Sequence, residues 1–233
     1  MRLLLVLVGA LVAAGTVGAA ASEPVTVLAT PRFNAPATAP AHPRVGFRIL
    51  SSTPLDPGRL PRPVRPRGLS IEGPDGSTGH VVVAPNRYAF DFRAFVRPPR
   101  IAPGEREFVY EQVVWAKEAG GVLYVETAHS TYARSSYGLN GYLNAVDLKR
   151  KRLLWRSPAL VANADTFVLL NDTIVSGYGF TAEPDYLYAV DRRNGRVVGR
   201  LPLPTAADRI VRHGTVLTVD TYDRRLTVRV TGG

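Results

Sequence analysis

Two stretches of the chain align without a gap at a spacing of 44 residues: YLNAVDLKRKRLLWRSPAL at 142–160 and YLYAVDRRNGRVVGRLPLP at 186–204. Tyr142, Leu143, Ala145, Val146, Asp147, Arg152, Arg156 and Pro158 recur as Tyr186, Leu187, Ala189, Val190, Asp191, Arg196, Arg200 and Pro202. Each copy reads as a strand, a tight turn and a second strand. A fixed period of this size, built of strands, is the mark of β-propeller blades. A single blade cannot bury both of its faces, so the repeat demands neighbours on either side.

The pattern extends outward from these copies. The first unit starts with strands at 107–118 and 121–128, then a polar loop at 129–140, then the copy itself. The second unit has strands at 165–170 and 172–178 joined through Asn171, a loop at 179–185, and the second copy. The third has strands at 208–214, 215–221 and 226–230 and stops one strand short. A degenerate unit occupies 69–96. The fold expected is therefore all-β, a propeller-like array of about four to five blades over 68–233, with no helix signalled by 3.6-residue apolar spacing. A terminus often completes the last blade of such an array. VTVLA (25–29) and VGFRIL (45–50) are the segments able to do so here; left incomplete, the open blade edge would invite self-association.

The strand-turn-strand element YLYAVDRRNGRVVGRL resembles the pyrroloquinoline quinone-type (quinoprotein-like) propeller repeat. That repeat has an aromatic-Leu-small-Val-Asp strand, a turn with Asn-Gly or Thr-Gly, and a strand that often carries Trp. The first copy keeps the Trp as Trp155, and the second has Gly199 in its place. The resemblance covers 107–230. It implies the propeller fold and no particular activity, since the superfamily holds both quinoprotein dehydrogenases and cofactor-free scaffolds. The turn explains itself: Asp191 starts it, and Asn194 and Gly195 tolerate positive φ. Trp155 is expected to wedge between blades.

The first 21 residues, one Arg and an apolar run ending in Ala19-Ala20-Ala21, read as a secretory signal peptide cleaved near Ala21; the alternative is a membrane anchor. Residues 22–67 form a Pro/Ala/Arg-rich segment, partly extended, with PLDPGRLPRPVRPRG (54–68) as a stiff spacer. An exported protein, periplasmic or extracellular, with no integral span after processing is the expectation. The absence of cysteine excludes a disulfide framework, an acylated lipoprotein terminus and thiolate metal sites. Net charge is +10, from 29 Lys+Arg against 19 Asp+Glu. The basic residues are dispersed and the chain reads as exported, which argues against nucleic acid and leaves an envelope protein, a peptide or an anionic glycan as partner.

No GxSxG, HExxH or phosphate-loop motif is present, and the four histidines show no metal-ligand spacing. No cofactor or metal is expected. Polar and aromatic residues collect instead in the loops between the second and third strands of successive units. These are His129, Tyr132, Arg134 and Tyr137; then Tyr178, Phe180, Glu183 and Asp185; then Tyr222, Asp223 and Arg224. Equivalent blade positions put them on one rim, where they would bind or scaffold a partner without catalysis. The alternative is a small envelope hydrolase or lyase with Glu183 or Asp185 as acid or base and His129 as its partner. The binding reading expects Tyr132, Tyr178 and Phe180 to be partly exposed and close together.

Overall fold

The computed structural model describes residues 23–25, 37–56, 58, 69–72, 78–83, 86–91, 112–128, 139–180 and 183–232. The expected signal segment 1–21, the Pro-rich run 59–67 and most of the polar stretch 129–140 lie outside them. Every described strand falls into one of four four-stranded sheets, and no helix is present among the described residues. The N-terminal segment contributes β1 (Glu23–Val25) and β2 (Val45–Pro54). The first sheet contains β3 (Leu69–Glu72), β4 (Thr78–Val83) and β5 (Asn86–Asp91), with β1 added parallel to β5. The second runs β6 (Gln112–Ala119), β7 (Val122–Ala128), β8 (Tyr142–Asp147), β9 (Arg152–Arg156). The third runs β10 (Val168–Leu170), β11 (Thr173–Phe180), β12 (Glu183–Asp191), β13 (Val197–Pro202). The fourth has β14 (Ala207–His213), β15 (Val216–Thr221), β16 (Arg224–Gly232) and, as its outer member, β2.

The truncated third repeat unit is thus completed by the chain's own VGFRIL segment, which pairs antiparallel with β16 from Val45–Gly232 to Pro54–Arg224. The edge expected to recruit a second copy is already occupied. The physical reason is proximity: β2 docks its Val45 into the core shared with β13, and Arg44 N–H donates to the Val198 carbonyl at 2.9 Å.

The inner strands of the middle sheets are buried on both faces, which is why β7, β8 and β11 are mostly apolar. One face of the second sheet (Trp115, Tyr124, Leu143, Ala145) packs on Phe167, Ile174, Tyr178, Tyr188 and Val190 of the third unit. The opposite face of the third (Val175, Leu187, Ala189) packs on Ile210, Leu217, Val219, Leu226 and Val228 of the fourth. The residues common to the two sequence copies sit at these contacts. Leu143 and Leu187, Ala145 and Ala189, and Val146 and Val190 are all buried. The recurring Tyr and Arg form a cross-strand stack in each copy: Arg156 over the Tyr142 ring at 3.5 Å and Arg200 over Tyr186 at 4.5 Å. Nothing in the structure explains the recurrence of Arg152 as Arg196, both exposed.

Trp155 does sit between blades. Its Nε1 donates to the Arg192 carbonyl at 2.9 Å, and its ring lies against Gly195, where an added Cβ would come within 2.6 Å of Cε3. Gly195 also has φ +72, so it is required twice; Asn194 keeps an ordinary φ and instead accepts a bond from Arg196 N–H at 3.0 Å. The corresponding residue of the first copy is Lys151, held at φ +51. A side chain there costs on the order of 1 kcal/mol. Lys151→Gly is expected to stabilise the protein by about 0.5–1 kcal/mol, a rise of roughly 1–4 °C in melting temperature, read by circular dichroism.

Candidate functional site

The rim of the third and fourth sheets holds an open cavity of about 500 Å³ lined by Phe180, Glu183, Asp185, Thr205, Ala206, Asp208 and Tyr222. Phe180 closes β11, Glu183 and Asp185 open β12, and Tyr222 forms the turn between β15 and β16. Thr205, Ala206 and Asp208 come from the connection that leads into β14 and from that strand's first residues.

Two irregularities of strand pairing shape the cavity. Between the pairs Tyr178–Tyr186 and Phe180–Glu183, β11 has one residue, Gly179, where β12 has two, Pro184 and Asp185. Pro184 has no N–H to pair, and the Asp185 carboxyl lies directly over Gly179, which leaves no room for a Cβ there. In β14, Ala207 pairs with Thr221 and Arg209 with Asp220, so Asp208 is the extra, unpaired residue. Bulges of this kind re-aim a side chain, and here each places a carboxylate in the cavity wall.

The electrostatics are one-sided. Burial pushes the Asp185 carboxyl above its ordinary pKa, and neighbouring Glu183 adds to the effect. Burial does the same to Asp208, assisted by Asp165 and Asp220. Asp185 Oδ1 and Asp208 Oδ2 are each buried without a hydrogen-bond partner. Glu183 is anchored from below, its Oε2 accepting the Tyr178 hydroxyl at 2.6 Å.

Of the residues singled out from sequence, Phe180, Glu183, Asp185 and Tyr222 come together around this cavity. Tyr222 is 61% exposed at its lip. Tyr178 does not belong to an exposed aromatic patch. It is 2% exposed, packed in the core between the second and third sheets, with an added Cβ on Gly141 only 2.7 Å from its ring. The pattern of β11 is the cause: Ile174, Ser176 and Tyr178 share the face that meets the second sheet. Asp223 accepts the Thr205 hydroxyl at 2.9 Å and fixes the connection, while Arg224 Nε donates to Ser52 Oγ of β2 at 2.8 Å, tying the closing strand. His129, Tyr132, Arg134 and Tyr137 lie outside the described residues. Asp208 and Thr205 were not foreseen. The hint was an aspartate interrupting the start of an otherwise strand-forming run, ADRIV, directly after LPLPT. Among the described residues no group of three His, Asp or Glu is placed to hold a metal ion.

No family model matches the chain, and a search of curated proteins finds no match. Several solved structures resemble the chain at low identity. BamB from Moraxella catarrhalis is 11% identical, with a TM-score of 0.37 over 72% of this chain and 60% of that one. The quinohemoprotein alcohol dehydrogenase ADHIIG from Pseudomonas putida HK5 is 14% identical, with a TM-score of 0.43 over 81% of this chain and 32% of that one. The computationally designed protein Ika4 is 12% identical, with a TM-score of 0.40 over 72% of this chain and 86% of that one. BamB and the dehydrogenase are β-propeller proteins, and this chain is an all-β, propeller-like array. The chain spans less than two thirds of the length of either. No helix of the described residues is long and apolar enough to cross a membrane.

Proposed function

We propose that this chain is an exported propeller that works as a binding or scaffolding module, with the rim cavity between its third and fourth sheets as the point of contact. The observation that carries the reading is the cavity itself, about 500 Å³ lined by two aromatic rings and three carboxylates. A concave site of this size with a few polar groups is the usual form of a ligand site, and an aromatic at its lip is the usual form of an anchor. A peptide or an envelope protein suits it. An anionic glycan would meet like charge at Glu183, Asp185 and Asp208.

The test separates binding from folding. Tyr222→Ala removes a side chain that is 61% exposed, so melting temperature is expected to stay within about 1 °C. Capture of the partner from envelope extract on immobilised protein is expected to fall at least tenfold, and capture equal to wild type would remove the cavity from the binding surface. The hydrolase or lyase alternative retains one support, the Glu183–Asp185 carboxylate pair with the Asp185 pKa raised. It is distinguished by turnover that is lost in Asp185→Asn.

A further inference from the structure

The chain carries a net charge of +10, yet the wall of the rim cavity is acidic, with Glu183, Asp185 and Asp208 facing it. Among the described residues no arginine or lysine pairs with any of the three. Three arginines of the flanking strands, Arg200, Arg224 and Arg225, are engaged elsewhere. Arg200 stacks on Tyr186 at 4.5 Å, Arg224 donates to Ser52, and Arg225 grips Asp220 through two bonds of 2.6 and 3.0 Å.

The acidity continues behind the wall. Asp165, whose N–H donates to the Asp208 carbonyl at 2.7 Å, adds its field to that of Asp208 and also to that of Glu126. Glu126 is wholly buried, and both of its carboxyl oxygens lack a hydrogen-bond partner. Two further carboxylate oxygens, on Asp185 and Asp208, are also buried without a partner. Glu183 raises the charging cost of Asp185, as Asp165 does for Asp208, and no ion pair among the described residues offsets that repulsion. A cation from outside would. The described residues offer no three-ligand grouping for a metal ion, and the cavity is far larger than a bare ion needs. Ring faces at Phe180 and Tyr222 suit the spread charge and apolar stem of an organic cation.

We propose that the rim cavity is a receptor for a guanidinium or alkylammonium group, its charged end against Asp185 and Asp208 and its stem along Phe180 and Tyr222. This rests on the binding reading above and names the chemistry of what is bound. The group can arrive on an arginine or lysine side chain of a peptide or as a free polyamine, and the probes below separate the two.

The test is calorimetric titration of the full-length protein with N-acetylarginine amide, N-acetylcitrulline amide, the peptide acetyl-Ala-Arg-Ala-amide and spermidine. Arginine amide is expected to bind at least tenfold tighter than citrulline amide, which has nearly its shape without its charge, and to weaken as salt is raised. Tighter binding of the tripeptide than of spermidine assigns the site to a peptide side chain, and the reverse order assigns it to a free amine. The double variant Asp185→Asn/Asp208→Asn is expected to lose at least tenfold in affinity with no fall in melting temperature. Should that variant misfold, Ala206→Lys places the chain's own ammonium in the cavity with the carboxylates intact, and is expected to abolish arginine amide binding. Equal affinity for the arginine and citrulline amides overturns the assignment, as does unchanged affinity in a folded variant. If the double variant captures the partner like wild type while Tyr222→Ala does not, the binding reading stands and the cation falls. If neither variant changes capture, both fall.

Discussion

Gly199→Trp is expected to cost about 3–5 kcal/mol of stability and to release the closing strand, although it restores the residue that the repeat prefers at this place. In the first copy Trp155 lies over the turn of the next blade, sealed by its bond to the Arg192 carbonyl and by the absence of a Cβ at Gly195. In the second copy the same space is filled by the entry of β2. A Cβ on Gly199 would collide with the carbonyl of Val45, and Arg44 N–H is bonded to Val198 beside it. The Arg44 side chain reaches the Asp191 carboxylate, which the neighbouring Arg193 also holds at 3.2 Å. An indole inserted here has no pocket, and backbone cannot step aside as a flexible side chain would. The strand must leave, and with it go the buried Val45 and the pairing of β16. Urea unfolding followed by circular dichroism gives the loss, and limited proteolysis within 37–56 reports release of the strand. A stable variant with an intact N-terminal segment would show that β2 does not hold this position.

That exchange of Trp for a strand also shows how far the fold could be read in advance. The 44-residue period and the short unit at the C-terminus led to a propeller-like array with VTVLA or VGFRIL able to complete the last blade, and these are local patterns; only the pairing of β2 with β16 decides between the two segments. The cavity was half legible. Phe180, Glu183, Asp185 and Tyr222 stood in equivalent loops, and equivalent loops share a rim. Tyr178 was grouped with the rim although it ends the strand read at 172–178, and the alternation Ile174–Ser176–Tyr178 carries it onto the core face. Asp208 was missed because a bulge cannot be seen until the partner strand is known. Glu126 was missed for a different reason. In VLYVETA a lone glutamate marks the solvent face of an ordinary half-buried strand, but both faces of a propeller sheet are covered.

Glu126 carries the second large effect: Glu126→Leu is expected to stabilise the protein by about 1–3 kcal/mol at neutral pH. The residue stands on β7 between Trp115 of β6 and Leu143 of β8, on a face otherwise made of core side chains. Trp115 Nε1 is itself buried without a partner, so the two polar groups nearest in register do not satisfy each other. Burial pushes the Glu126 carboxyl well above its ordinary value of 4.5, and Asp165 raises it further. Below pH 4.5 folded and unfolded chains both hold the proton, and only the unmade hydrogen bonds count against the fold. Above it the unfolded chain releases the proton while the folded one keeps it, so stability falls as pH rises, by up to about 1.4 kcal/mol per pH unit, until the folded pKa is passed. Asp191 has the opposite sign. Burial works against its charge, but hydrogen bonds from Arg193 and Arg44 outweigh it and hold the carboxyl at about 2. Its contribution is present above 3.8 and is lost as pH falls toward 2. Unfolding in urea at a series of pH values, followed by tryptophan fluorescence, is therefore expected to show wild type most stable near pH 4–5 and weakening toward neutrality. Glu126→Leu should lose one proton's worth of that alkaline slope and keep the acid limb that Asp191 sets. Equal slopes in the two proteins would mean that Glu126 is solvated or paired in solution, and a destabilised variant would mean that its carboxyl has a partner in the folded protein.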